Sequence, residues 1–215
     1  MRKTVLFAAV LIVSSFSLAA HAQNNTPDDT APNTGDSYDE SQNPGQGQAG
    51  MENSLYTPTM TLDRIHAINL EEIDAGNLAL HNGTRAIHSY AEKLVKDHEK
   101  ADSMVKGTAK SQKLSLRSPD QVTWPAGVAE DMQQGKQMMD QLKTLHGQEF
   151  DKQYLSMMVE GHTKALEFLG QAKDKVQDPT VVKLIGQLTP TIEQHKTMAQ
   201  QLLDKENNSR VQGRR

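Results

Sequence analysis

Phe150-Asp151-Lys152-Gln153-Tyr154-Leu155-Ser156-Met157-Met158-Val159-Glu160-Gly161-His162-Thr163-Lys164-Ala165-Leu166-Glu167-Phe168-Leu169 holds a helical stripe with polar residues inside it. Asp151, Leu155, Met158, His162, Leu166 and Leu169 follow at steps of three or four, so they share one face of a helix. An unpaired buried imidazole or carboxylate costs about a few kcal/mol, so Asp151 and His162 need partners or a shallow position.

The same periodicity recurs on either side. Strand signals are almost missing between Thr57 and Lys205: aromatics are scarce and Ala, Leu, Met, Gln, Glu and Lys dominate. These residues are expected to form one all-α domain, a four-helix bundle with a short extra helix between its two halves. Helix 1 is expected over Thr59–Asn82, with Asn82-Gly83 as its stop, and helix 2 over Thr84–Ser111. Pro119, Trp124 and Pro125 mark a crossover from Gln112 to Gly127. A shorter helix over Val128–His146 then leads into helix 3, Gln148–Val176. Asp178-Pro179 supplies a cap and a first-turn proline for helix 4, which runs to about Lys205 and is expected to kink at Pro190. The four stripes are expected to make one continuous apolar core.

Toward the N-terminus, Arg2 and Lys3 precede an apolar run from Val5 to about Leu18, and Ala20-His21-Ala22 follows. That order reads as a secretory signal peptide over 1–22, too short for a comfortable membrane span. No cysteine follows the run, so a lipid anchor on an N-terminal cysteine is excluded. Residues 23–54 carry acidic side chains, no Lys or Arg and little apolar surface, which reads as a disordered acidic tether; collecting cations is an alternative use for it. The domain then spans 55–205, and 206–215 reads as a polar tail that frays. The destination is the periplasm or beyond it.

Composition removes several functions. With no cysteine, disulfide staples, thiol redox chemistry and thiolate metal sites are excluded. The net charge of −4 becomes −6 once Arg2 and Lys3 leave, with 21 basic against 27 acidic residues, which argues against nucleic acid as a partner. No Gly-x-Ser-x-Gly elbow or phosphate loop is present, so an enzyme is disfavoured.

Polar residues inside the stripes form a set across all four long helices: Glu72, His98, Asp151, His162 and His195. Bundles build metal sites from inward carboxylates and imidazoles on facing helices. This donor set without sulfur suits zinc, iron, manganese or copper(II). Asp151 and His162 are about 16 Å apart along one helix, so all five cannot share an ion. The economical site is Glu72, His98 and His162, with His195 as a fourth candidate and Asp97 and Asp151 as a secondary polar layer. The echo of Val95-x-x-His98-x-Lys100-Ala101 in Val159-x-x-His162-x-Lys164-Ala165 places two of these histidines equivalently and supports a two-halves layout. Met158 with His162, and His195 with Met198, offer a mixed site for copper(I), although core filling is the commoner use of methionine. A hydrogen-bonded layer that only fixes helix register stays open beside the metal site. So does a non-catalytic interaction module with an envelope protein as partner.

Four segments together resemble a known family: Glu72-Ile73-Asp74-Ala75-Gly76-Asn77-Leu78-Ala79; Leu94-Val95-Lys96-Asp97-His98; Phe150-Asp151-x-x-Tyr154-Leu155-x-Met157-Met158-Val159-x-x-His162; and Thr189-Pro190-x-x-x-x-His195. This is the bacterial exported domain of unknown function numbered 4142, and the resemblance spans Met60 to Leu203. It implies an exported, ferritin-like helical bundle without an agreed activity. The outer-membrane label the family carries finds no barrel pattern here. Di-iron ferritin-like enzymes use Glu-x-x-His pairs, whereas Val95, Val159 and Ile192 stand three before the histidines here, which speaks against a di-iron centre and iron storage.

Overall fold

The computed structural model describes residues 55–212, with side chains to residue 208. The segments read as signal peptide and tether lie outside the described residues. Among these residues there are five α-helices and no strand: α1 Pro58–Asn82, α2 Arg85–Ser111, α3 Ala126–Leu142, α4 Gly147–Lys175 and α5 Pro179–Gln212. A 3-10 turn, Pro119–Gln121, lies in the crossover between α2 and α3.

The chain marks its own helix starts. Thr57 accepts a hydrogen bond from Met60 N, with Pro58 in the first turn of α1. Thr84 caps α2 through Ala86 N. Asp178 accepts from Thr180 N at 2.8 Å and Val181 N at 3.0 Å, as Asp178-Pro179 implies. Gly147 opens α4 at φ +62°, the left-handed region that glycine tolerates without a Cβ penalty. The expected boundaries hold to within a few residues, except at the C-terminus. There α5 continues through the segment expected to fray, as far as Gln212, and it is one helix through the exposed Pro190.

Bonds between helix ends fix the topology. α1 and α2 form one antiparallel hairpin and α4 and α5 another. The start of α2 meets the start of α4, where Asp151 accepts from Thr84 N at 2.9 Å and from the Thr84 hydroxyl. The end of α2 meets the start of α5 through Gln112 and Thr180, 2.7 Å apart. Hence α2 and α4 run parallel, and α3 is the return climb that makes this possible. Of its residues only Leu142 is buried. Lys164 on α4 reaches Asp131 on α3 at 2.9 Å.

The core is two apolar clusters, not one continuous core. Leu62, Ile65, Val105, Leu169, Leu184 and Ile185 belong to the cluster at the α1 N-terminal end. Ala79, Ile87, Leu94, Phe150, Tyr154 and Leu155 belong to the other. Between them on the four long helices lie the buried Asn69, Glu72, His98, His162 and His195, and that layer is the candidate site.

Candidate metal centre

α1 lays down the layer by spacing alone. Asp63, His66, Asn69 and Glu72 follow at steps of three, and all four are buried. Each step turns the side chain by about 60° short of a full revolution, so four such residues wind half-way round the helix. The winding gives each a different neighbour. Asp63 faces the crossover and accepts from Arg117 N at 2.9 Å and Arg117 Nε at 2.8 Å. His66 Nδ1 meets Asp102 on α2. Asn69 Oδ1 meets His98 Nδ1 on α2 at 2.9 Å. Glu72 Oε1 stands 3.7 Å from His162 Nδ1 on α4. As α1 advances from His66 to Asn69, α2 retreats one turn from Asp102 to His98, which is the antiparallel register of the hairpin.

His98, His162 and His195 converge where this ladder ends. Each ring offers one nitrogen within 4.8 Å of a nitrogen from each of the other two. Ring centroids lie 5.8 Å apart for His98 and His162, 5.2 Å for His98 and His195, and 5.5 Å for His162 and His195. All three are at most 1 % exposed.

The hydrogen bonds assign the tautomers. His162 Nδ1 lies 2.8 Å from the Met158 carbonyl, and His195 Nε2 lies 2.9 Å from an Asp97 carboxylate oxygen. These oxygens only accept, so those nitrogens donate. His98 Nδ1 donates to Asn69 Oδ1 in the same way. What remains is His98 Nε2, His162 Nε2 and His195 Nδ1, each buried and without a protein partner. Fixing one imidazole N–H on an oxygen so that the other nitrogen is free is how metal-ligating histidines are oriented. Zinc-type ligand bonds of about 2.0–2.1 Å require ligand atoms about 3.4 Å apart in a tetrahedron, within side-chain adjustment of this arrangement.

Burial and mutual repulsion keep the triad neutral. Burial lowers His98 to about 3, helped by His162 and His195 and opposed by Asp97. Burial lowers His162 to about 4, the Met158 carbonyl partly offsetting it. His195 is lowered for the same reason, against the pull of Asp97. Burial raises Glu72 to about 8. Burial also pushes Asp97 up, but hydrogen bonds from Lys93 and His195 outweigh it and hold that carboxyl below its ordinary range. Neutral imidazole is the form that binds a metal ion.

Seven of the eight buried unpartnered side-chain atoms among the described residues lie in or beside this layer: the three imidazole nitrogens, Asn69 Nδ2, Glu72 Oε2, and the hydroxyls of Tyr90 and Tyr154. Tyr90 packs edge-on against His195, 6.4 Å between centroids, and against Tyr154 at 6.1 Å. Native interiors leave few such atoms unsatisfied, and a cation with its ligands is one arrangement that resolves a cluster.

The structure therefore brings Glu72, His98, His162 and His195 into one layer and sets Asp97 behind His195. It keeps Asp151 apart, as a cap on the α1–α2 hairpin, the role open to a carboxylate beside a helix start. Asn69, His66 and Asp102 were not singled out from the sequence. The signal for the first two was the three-residue polar ladder of α1, and for Asp102 its place one turn beyond His98.

The motif order that suggested a family is matched by the family model called Domain of unknown function (DUF4142), over residues 41–202. The chain belongs to the DUF4142 family. No curated protein matches this DUF4142 chain. Its fold is similar to that of CopM in the Cu(II)-bound form, with a TM-score of 0.56 and 16 % identity over 69 % of this chain and 97 % of that one. It is similar as well to a DUF305 protein of Streptomyces coelicolor described as secreted, at TM-score 0.58 and 15 % identity over 71 % and 96 %. At these identities the likeness is one of fold, a helical bundle of the ferritin-like type. No helix among the described residues is long and apolar enough to cross a membrane.

Proposed function

We propose that this DUF4142 chain is an exported, non-catalytic protein that holds one divalent transition ion, with copper(II) the preferred ion, through His98 Nε2, His162 Nε2 and His195 Nδ1, with the Glu72 carboxylate beside the site. The observation that carries the reading is the convergence of three buried imidazoles, each with one ring N–H committed to an oxygen and the other nitrogen without a protein partner. Among divalent first-row ions copper(II) binds nitrogen and oxygen donors most strongly, and zinc is next in line as an imidazole partner. The copper-bound state of CopM, a bundle of similar fold, supports the same choice. The three histidines are sealed from solvent at no more than 1 % exposure, which favours holding or buffering the ion over turning over a substrate. Glu72, protonated at neutral pH and standing beside His162, ionises when a cation is bound next to it, so loading releases acid.

Metal content of the protein purified without a histidine tag, together with proton release on copper(II) addition, tests this. About one equivalent of metal and close to one proton per chain are expected, with both lost in His98→Ala. A metal-free parent that releases no proton on copper addition overturns the proposal. The other reading, a polar layer that only sets helix register, draws on the interhelical pairs His66–Asp102 and Asn69–His98. It expects His162→Leu to be tolerated or stabilising with every metal condition alike.

A further inference from the structure

The three histidines are sealed, so an ion must reach them by some route. Beside the layer, where α3 stands off from α1 and α4, lies a cavity of about 590 Å³. Its walls include Met132, Met138 and Met139 of α3 and Met157 of α4, and none of the three histidines lines it. Glu72 does line it, and Glu72 also stands 3.7 Å from His162. Its Oε2 has no partner, and the residue is 8 % exposed. Carboxylates outnumber basic groups on the wall by seven to four. Lys164 is held by Asp131, and Lys136 and Lys143 by Asp140, so three of the four cations are already paired.

Gly161 sits at the inner end. It also lines the cavity, and a Cβ built there would meet Glu72 Oε1 at 3.5 Å and nothing nearer. A helix interior gains from Ala over Gly, so local helix stability does not account for glycine here. Its lack of a side chain leaves Glu72 open to the cavity.

Resting on the metal-binding reading above, we infer that the cavity under α3 is the route by which a hydrated divalent cation enters, with Glu72 as the carboxylate that passes it to the histidines and Gly161 as the aperture. The rival route runs past Asp97, which is half-buried on the outer side of His195. Lys93 closes that side, its Nζ 2.8 Å from Asp97, and its charge repels an incoming cation.

The test is stopped-flow mixing of metal-free full-length protein with copper(II), followed by the ligand-field absorbance of the bound ion. Gly161→Leu adds a side chain at the aperture and removes no ligand. It is expected to slow loading at least tenfold while the final absorbance per chain stays that of the parent, with Gly161→Ala in between and Lys93→Ala loading at the parental rate. Circular dichroism of each variant establishes that the bundle has formed. Copper bound by Gly161→Leu at the parental rate overturns the route, and faster loading in Lys93→Ala alone reassigns entry to Asp97. A parent that binds no copper overturns the metal reading and the route together, so the two failures are distinguishable.

Discussion

Asp97 ties the histidine layer to the surface. It accepts from His195 Nε2 on one side and from Lys93 on the other, both on oxygen Oδ2. It fixes which nitrogen of His195 is free without touching that nitrogen. Asp97→Asn is expected to weaken copper(II) binding about 10- to 100-fold with unchanged stoichiometry, as measured by competition with a chelator of known affinity. The buried titratable groups set a second expectation, for the metal-free protein. His98 and His162 fall to about 3 and 4 in the fold, so the unfolded chain binds more protons below about pH 6.5 and stability rises with pH through that window. Glu72 is raised to about 8, so the folded chain binds the extra proton between about pH 4.5 and 8, and stability falls as pH rises there. The histidines outnumber Glu72 below pH 6.5, and Glu72 acts alone above it. Thermal melting of chelator-treated protein should give a maximum near pH 6.5, and a melting temperature still climbing from 6.5 to 8 would contradict the assignment. The histidines were legible because each interrupts an apolar stripe. Asn69 was not, because asparagine on a helix is ordinary until its partner is known.

On the scale of helices, the parallel run of α2 and α4 explains the echoed motif. A tandem duplication would align α1 with α4 and α2 with α5. The echo instead joins α2 to α4, whose starts meet at Thr84 and Asp151 and which therefore carry His98 and His162 in the same direction. It places the two histidines at one height of the bundle, with ring centroids 5.8 Å apart. Asp151 holds that alignment by accepting two bonds from Thr84. Asp151→Ala leaves the half-buried backbone N–H and hydroxyl of Thr84 without their carboxylate acceptor, so a loss of about 1–2 kcal/mol is expected in denaturant unfolding, with copper binding unaltered. A loss of copper binding in that variant would mean that Asp151 acts on the site. Helix starts were legible from Thr57, Thr84 and Asp178-Pro179, since caps are local chemistry. The end of α5 was not: composition alone suggested fraying after Lys205, whereas the helix runs to Gln212.

For the whole molecule, the expectation of one continuous core fails for an instructive reason. Stripe periodicity shows which side of a helix turns inward, but not the height at which polar residues of different helices meet. Here they meet at one level and divide the apolar interior into two clusters. A layer of buried polar side chains weakens a bundle unless something offsets it, and a bound ion stabilises the folded state alone by mass action. The direct measurement is thermal melting with and without copper(II), on the parent and on His98→Ala and His162→Ala. The account predicts that copper at a hundred times its dissociation constant stabilises the parent by about 2.7 kcal/mol and neither variant; equal shifts in all three, or none in the parent, would contradict it.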